Sequence, residues 1–109
     1  MTPDNYVERE IASRIVDALL SHPDWQISIR DGIYSDGQWV LKSSRDKTAI
    51  LGAMFSTDDD LISVFAPGKG NAWIALIYGN GWDVIHDYTI SMEATLAPVQ
   101  TWIDEQIQA

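Results

Sequence analysis

The sequence predicts an α+β fold, an antiparallel sheet of five or six strands flanked by an N-terminal and a C-terminal helix packed on one face. Apolar residues recur at helical spacing near each end of the chain, at 4–21 and again at 92–107. Between them lie short runs with strand alternation, separated by turns rich in Gly, Asp and Asn. Two terminal helices laid on one face of a sheet bury both apolar stripes together. The whole of 1–109 is expected to form a single α+β domain, since a chain of this length leaves little room for two cores.

Residues 4–21 form the first helix, with Thr2 as its cap and Pro3 at its first position, where a missing N–H costs nothing. Val7, Ile11, Ala12, Ile15, Val16, Leu19 and Leu20 make its apolar face. Pro23 then ends it through Ser21-His22-Pro23-Asp24, because the residue before proline avoids helical geometry. Trp25, Ile27 and Ile29 alternate with Gln26, Ser28 and Arg30, the period of a strand with one buried face. Asp31-Gly32 and Asp36-Gly37 are turn dipeptides, and Gln38 to Ser44 is a second strand. Arg45-Asp46-Lys47 is a polar turn leading to a third strand over Thr48–Ser56, with Gly52 as a bulge. Thr57-Asp58-Asp59-Asp60 turns the chain into a fourth strand, Leu61–Ala66. The loop Pro67-Gly68-Lys69-Gly70-Asn71 leads to a fifth, Ala72–Tyr78, so apolar that a central place covered on both faces is expected. After Gly79-Asn80-Gly81, Trp82–Tyr88 is a sixth strand, with Val84 and His86 on one face and Asp83, Ile85 and Asp87 on the other. Met92, Leu96, Val99, Ile103 and Ile107 return to helical spacing. Pro98 places the start of the main helix near Ala97, after a short turn at 91–96.

Composition bounds the function. The chain has no Cys, which excludes disulfide stapling, thiolate catalysis and Cys-ligated zinc or iron–sulfur centres. Its net charge is −9, with 16 acids against 7 bases, so direct binding to nucleic acid or to an anionic membrane is not expected. Residues 1–47 carry eight acids against six bases, whereas 48–109 carry eight acids against Lys69 alone. The first residues, Met1 to Glu8, lack the basic start and apolar run of a secretion signal. No stretch approaches the length of a membrane span, so a cytoplasmic location is the expectation.

No catalytic motif emerges. Asp58-Asp59-Asp60 lacks the inward, spaced oxygens of a calcium loop and fits a solvated hairpin tip. In Pro67–Asn71 the Lys precedes the second Gly, and the loop enters a strand, so a plain hairpin loop is expected in place of a phosphate-binding one. His86 and Asp87 are strand neighbours and are expected to point to opposite faces, which argues against an acid–base pair. His22, at a helix end, fits a capping role. No catalytic residue, metal ligand or cofactor is expected.

In length, acidity and scarcity of catalytic residues the chain is similar to small accessory proteins of bacteria and phages, immunity proteins and inhibitors of host defence among them. That similarity is one of composition and no motif carries it. The leading expectation is a non-enzymatic protein-binding domain docking on a basic partner surface. Asp58, Asp59, Asp60, Asp83 and Asp87 would steer the encounter and Trp82 would anchor it. A nucleic-acid mimic is a sharper form of the same idea. A second reading is a ligand-binding or enzymatic pocket between sheet and helices, using His86, Tyr78 or Tyr88. A third is a homo-oligomer whose exposed Trp side chains meet across a symmetry axis.

Overall fold

A computed structural model of the chain describes residues 3–34, 37–68 and 70–109. Helix α1 (Pro3–Leu20) leads to strands β1 (Gln26–Arg30) and β2 (Trp39–Ser44), a short helix α2 (Lys47–Gly52), strands β3 (Asp59–Ala66), β4 (Gly70–Ile77) and β5 (Ile85–Tyr88), and helix α3 (Glu93–Gln108). The five strands form one sheet in the order β2-β1-β3-β4-β5, with every neighbouring pair antiparallel. Thr2, Asp36 and Lys69, which the sequence reading assigned to a cap, a turn and a loop, lie outside the described residues.

Alternation decides which face of the sheet is sealed. Ile27, Ile29, Ile62, Val64, Ile74 and Leu76 are fully buried and belong to one apolar cluster with Ile11, Ile15 and Leu19 of α1 and Leu96, Val99 and Ile103 of α3. The helices touch each other as well, the Arg14 guanidinium lying 3.9 Å from the centre of the Trp102 ring. The residues between those buried positions face away from the helices. Arg30, Leu61, Ser63, Phe65, Trp73 and Ala75 lie there, and no helix covers them.

Three elements differ from the sequence expectation. Thr48–Ser56 is not a strand, because Lys47–Gly52 is helical. Asp46 is the reason at its start, its carboxylate accepting from the N–H groups of Thr48 at 3.0 Å and Ala49 at 3.4 Å as an N-cap. Ile50, Ala53 and Met54 then supply buried residues at the i, i+3, i+4 spacing of a helix face, a pattern that short apolar runs share with strands. Secondly, β4 is an interior strand covered by helices on one face only, with Trp73 left 39% exposed on the other. Thirdly, α3 begins at Glu93 and carries Pro98 inside it, preceded by a 3-10 turn over Ile90–Met92. The Ala94 carbonyl thereby loses its helical donor, and Ala94, Ala97 and Pro98 are all exposed, so water can satisfy it.

The end of α1 is closed by a residue far along the chain. The Arg45 guanidinium donates to the carbonyls of Leu20 at 3.1 Å, His22 at 3.0 Å and Trp25. Arg45 therefore supplies the cation that favours a helix C-terminus, the role the sequence suggested for His22. The His22 ring instead stacks on Trp25 with centroids 3.6 Å apart.

Pro98→Ala restores one helical hydrogen bond at an exposed site. It is expected to raise the unfolding free energy by about 1–3 kcal/mol, the helix gain less the chain entropy that proline removes from the unfolded state. Urea titration of the two proteins measures this, and a lower midpoint for the variant would contradict the account of α3.

Candidate functional site

The antiparallel register gathers three loops at one end of the sheet, where β1 and β4 stop and β3 and β5 start. These are the β1–β2 loop, the turn before β3, and the β4–β5 loop. Hydrogen bonds tie them together. Thr57 Oγ1 donates to the Asp31 carbonyl at 2.7 Å, the Ile33 N–H to Asp59 Oδ1 at 3.1 Å, and the Tyr78 N–H to the Asp58 carbonyl at 2.9 Å. Gly37 closes the β1–β2 loop by close approach, since a Cβ there would stand 2.7 Å from the Gly32 carbonyl oxygen. The result is an acidic pole carrying Asp31, Asp58, Asp59 and Asp83. Asp31, Asp58 and Asp59 line a shallow open depression of about 390 Å³ beside Tyr34, which is 67% exposed, and among the described residues no Lys or Arg lines it.

Of the six residues singled out from sequence, Asp58 and Asp59 thus share one depression, and Asp83 lies in the β4–β5 loop at the same end of the sheet, lining a different one. Asp60 does not join them. It is fully buried and shares strand parity with Ile62 and Val64, so its side chain turns toward the helices. Its Oδ2 accepts from the Phe55 N–H at 2.9 Å and the Tyr78 hydroxyl at 2.5 Å, while Oδ1 has no protein partner. Trp82 is half-buried, packed edge-on against Trp102 with centroids 5.7 Å apart, and lines a second depression with Asp83, Asp104 and Ile107. Asp87 sits on the uncovered face.

The Asp60 carboxyl anchors a stack of side chains. Phe55 holds a backbone φ of 70°, a region that bulky residues rarely occupy, and its N–H is the group Asp60 accepts. The Phe55 ring stacks on Tyr78 at 4.4 Å, and the Arg9 guanidinium lies 4.5 Å from its centre. Beside them the buried Glu8 accepts the Gly79 N–H at 2.5 Å, at a φ of 103° that only glycine holds without strain. Burial raises the Asp60 pKa above the usual carboxylate range. The bonds from Tyr78 and Phe55 oppose that rise, and the nearby Asp59 and Asp31 add to it. Tyr78 is pushed far above the usual phenol range by burial and by the adjoining Asp60 and Glu8 carboxylates, so it acts as a fixed donor.

On the uncovered face, the register lines up Trp39, Arg30, Leu61, Ala75 and Asp87 as one row across all five strands. A groove of about 310 Å³ runs along it, lined by Arg30, Leu61, Trp73, Ala75, His86 and Asp87 among others. The register shifts between Ala75 and Leu76, so that Ile85 faces the core side and Asp87 the open side. That bulge overturns simple parity: His86 and Asp87 line the same groove, where the sequence reading placed them on opposite faces. Tyr88 pairs with Ile74 on the helix side, and Tyr78 is engaged with Asp60, so His86, Tyr78 and Tyr88 do not converge. Among the described residues, no group of three or more His, Asp or Glu side chains is placed to hold a metal ion. No helix there is long and apolar enough to cross a membrane.

Sequence reasoning did not identify Tyr34, Trp39, Phe65 and Trp73 as exposed aromatics. The all-apolar run Ala72–Ile77 hides parity, whereas the parity of Asp60 with Ile62 and Val64 was open to reading. Comparison with protein-family models, curated proteins and solved structures finds no match to this chain.

A raised folded-state pKa means that the folded chain holds the Asp60 proton more tightly than the unfolded chain. The resulting stability is present at low pH and is lost as pH rises above the ordinary aspartate value of 3.8 and through the folded pKa. Asp60→Asn should remove this component, so the stability difference between variant and parent changes across that window and is flat on either side. Tyr78→Phe, which deletes an interaction that lowers the Asp60 pKa, should extend the window upward and cost about 1–2 kcal/mol near neutral pH. Chemical denaturation from pH 3 to pH 9 reads both, and parallel profiles for all three proteins would refute the assignment.

Proposed function

We propose that the chain is a small non-enzymatic protein-binding domain, of the accessory or inhibitor type, that docks through its acidic pole on a basic surface of a partner protein. The observation that supports this reading is the convergence of Asp31, Asp58 and Asp59 on one depression beside the exposed Tyr34, with no cation lining it among the described residues. Acids held at the end of a rigid sheet by backbone hydrogen bonds lose little freedom on binding. Their field raises the rate of encounter with a cationic surface and weakens as salt rises. Tyr34 takes the place of Trp82 as the aromatic anchor, since the Trp82 ring packs against Trp102. Asp83 extends the pole on the far side. Asp87 contributes only through its longer-range field, and Asp60 contributes structure in place of contact.

The pocket reading draws less support. Fully buried Ile, Leu and Val side chains fill the space between sheet and helices. A recess of about 280 Å³ lies where the sheet meets the start of α3, beside Trp25, Ala66 and Met92, but His86 lines the groove on the uncovered face and Tyr78 and Tyr88 line neither.

The test is affinity capture with the parent chain and with the variant Asp58→Lys/Asp59→Lys/Tyr34→Ala, washed at low and at high salt. The expected outcome is one protein retained by the parent at low salt, shed at high salt, and retained at least about tenfold less by the variant. Equal retention by parent and variant would reject the acidic pole as the docking surface.

A further inference from the structure

The geometry points to a second use of the fold: the uncovered sheet face is a self-complementary surface that pairs with a second copy of this chain. The inference rests on the open face and is independent of the acidic pole. Each cross-strand pair of β3 and β4 on that face sets a large side chain beside a small or polar one. Leu61 pairs with Ala75, Trp73 with Ser63, and Phe65 with Asn71. A two-fold axis running along the strands, between β3 and β4, lays each pair on its own reverse. Leu61 then rests over the second copy's Ala75, Trp73 over Ser63, and Phe65 over Asn71, so knobs meet hollows in all three rows.

The charges obey the same symmetry. Arg30 and Asp87 stand at opposite ends of the row Arg30–Leu61–Ala75–Asp87, three strand spacings or about 14 Å apart. The axis that matches large to small also brings Arg30 of each copy over Asp87 of the other. An axis across the strands along that row would stack Arg30 on Arg30 and Asp87 on Asp87, so charge favours the axis along the strands. The face has much to gain from cover, since Phe65 and Trp73 on the two central strands are 47% and 39% exposed. The floor of its groove is Ala75, small enough to receive the incoming Leu61. The footprint, about 20 Å by 20 Å from strand spacing and residue rise, amounts to roughly 800 Å² counted on both copies, below the roughly 1,200 Å² of stable interfaces, so the pairing is a weak one. Repulsion between two chains of net charge −9 opposes association and is screened by salt. The expected pairing is therefore weak and strengthened by salt, with a dissociation constant on the order of 10–100 µM in about 150 mM salt taken as the working range for the test.

Sedimentation equilibrium of the parent chain from about 5 µM to 500 µM is expected to give a monomer–dimer equilibrium in that range. Arg30→Glu and Asp87→Arg each set like charges against each other twice per dimer and should weaken it at least about tenfold. An equimolar mixture of the two variants should dimerise again, because every contact in the mixed dimer is then between opposite charges. Misfolding of a variant cannot imitate that rescue. Arg30 also donates to the carbonyls of Gly32 at 2.9 Å and Ile33 at 3.1 Å, so Trp73→Ser, whose side chain holds no hydrogen bond, gives a second and separate loss of dimer. A parent chain that stays monomeric throughout overturns the inference. So does a dimer that Asp87→Arg and Trp73→Ser leave unchanged, or a mixture of two folded charge variants no more associated than either alone.

Discussion

Two long helices can cover one face of a five-stranded sheet and not both, and most of the molecule follows from that shortage. The apolar stripes of α1 and α3 are each one face wide, so each helix is committed to the core side, where Ile11, Ile15, Leu96 and Val99 meet the inward positions of β1, β3 and β4. The opposite face has to be tolerated in water. Ser28, Ser63, Asn71 and Arg30 make that tolerable, yet Trp39, Phe65 and Trp73 remain among them. A bare antiparallel face is ordinary when it is polar. One that retains exposed indoles and a phenyl ring is the surface on which the proposed pairing of two copies rests.

The polar interior is placed where the layers need joining. The stack of Arg9, Phe55, Tyr78 and Asp60, with the Glu8–Gly79 bond beside it, ties α1 to the turn before β3 and to the end of β4. At the other end of the sheet Arg45 ties the end of α1 to the start of α2. Both clamps use a charged side chain to satisfy backbone groups that no regular element would reach. The first clamp also fixes the acidic pole. Its Phe55 and Tyr78 flank the turn carrying Asp58 and Asp59, so a buried acid sets the position of the exposed ones.

Much of this was legible in the sequence where periodicity was unambiguous. The α1 stripe, the alternation of Trp25–Arg30 and the turns at Asp31-Gly32 and Gly79–Gly81 were read from residues alone and correspond to elements of the fold. Failures came where two periods fit the same short run. Ala49–Met54 satisfies a strand as readily as a helical turn until Asp46 is recognised as a cap. Pro98 suggested a helix start at Ala97 because local propensity was weighed without the packing of Leu96 and Met92 that extends α3 toward its N-terminus. At the site, the convergence of Asp31 with Asp58 and Asp59 depends on register across β1 and β3, residues about 27 apart in sequence, which no local pattern encodes. The bulge that puts His86 beside Asp87 is likewise a property of pairing with β4.

The most direct test of the two-layer account is residue-resolved hydroxyl-radical footprinting of the five Trp side chains at about 1 µM, well below the association expected for a weak interface. The account predicts fast oxidation of Trp39 and Trp73, strong protection of Trp25, and intermediate rates for Trp82 and Trp102, which pack against each other at the surface. If Trp73 were as protected as Trp25 in the monomer, the outer face of β4 would be covered, and the division of the sheet into a sealed face and an open one would be wrong.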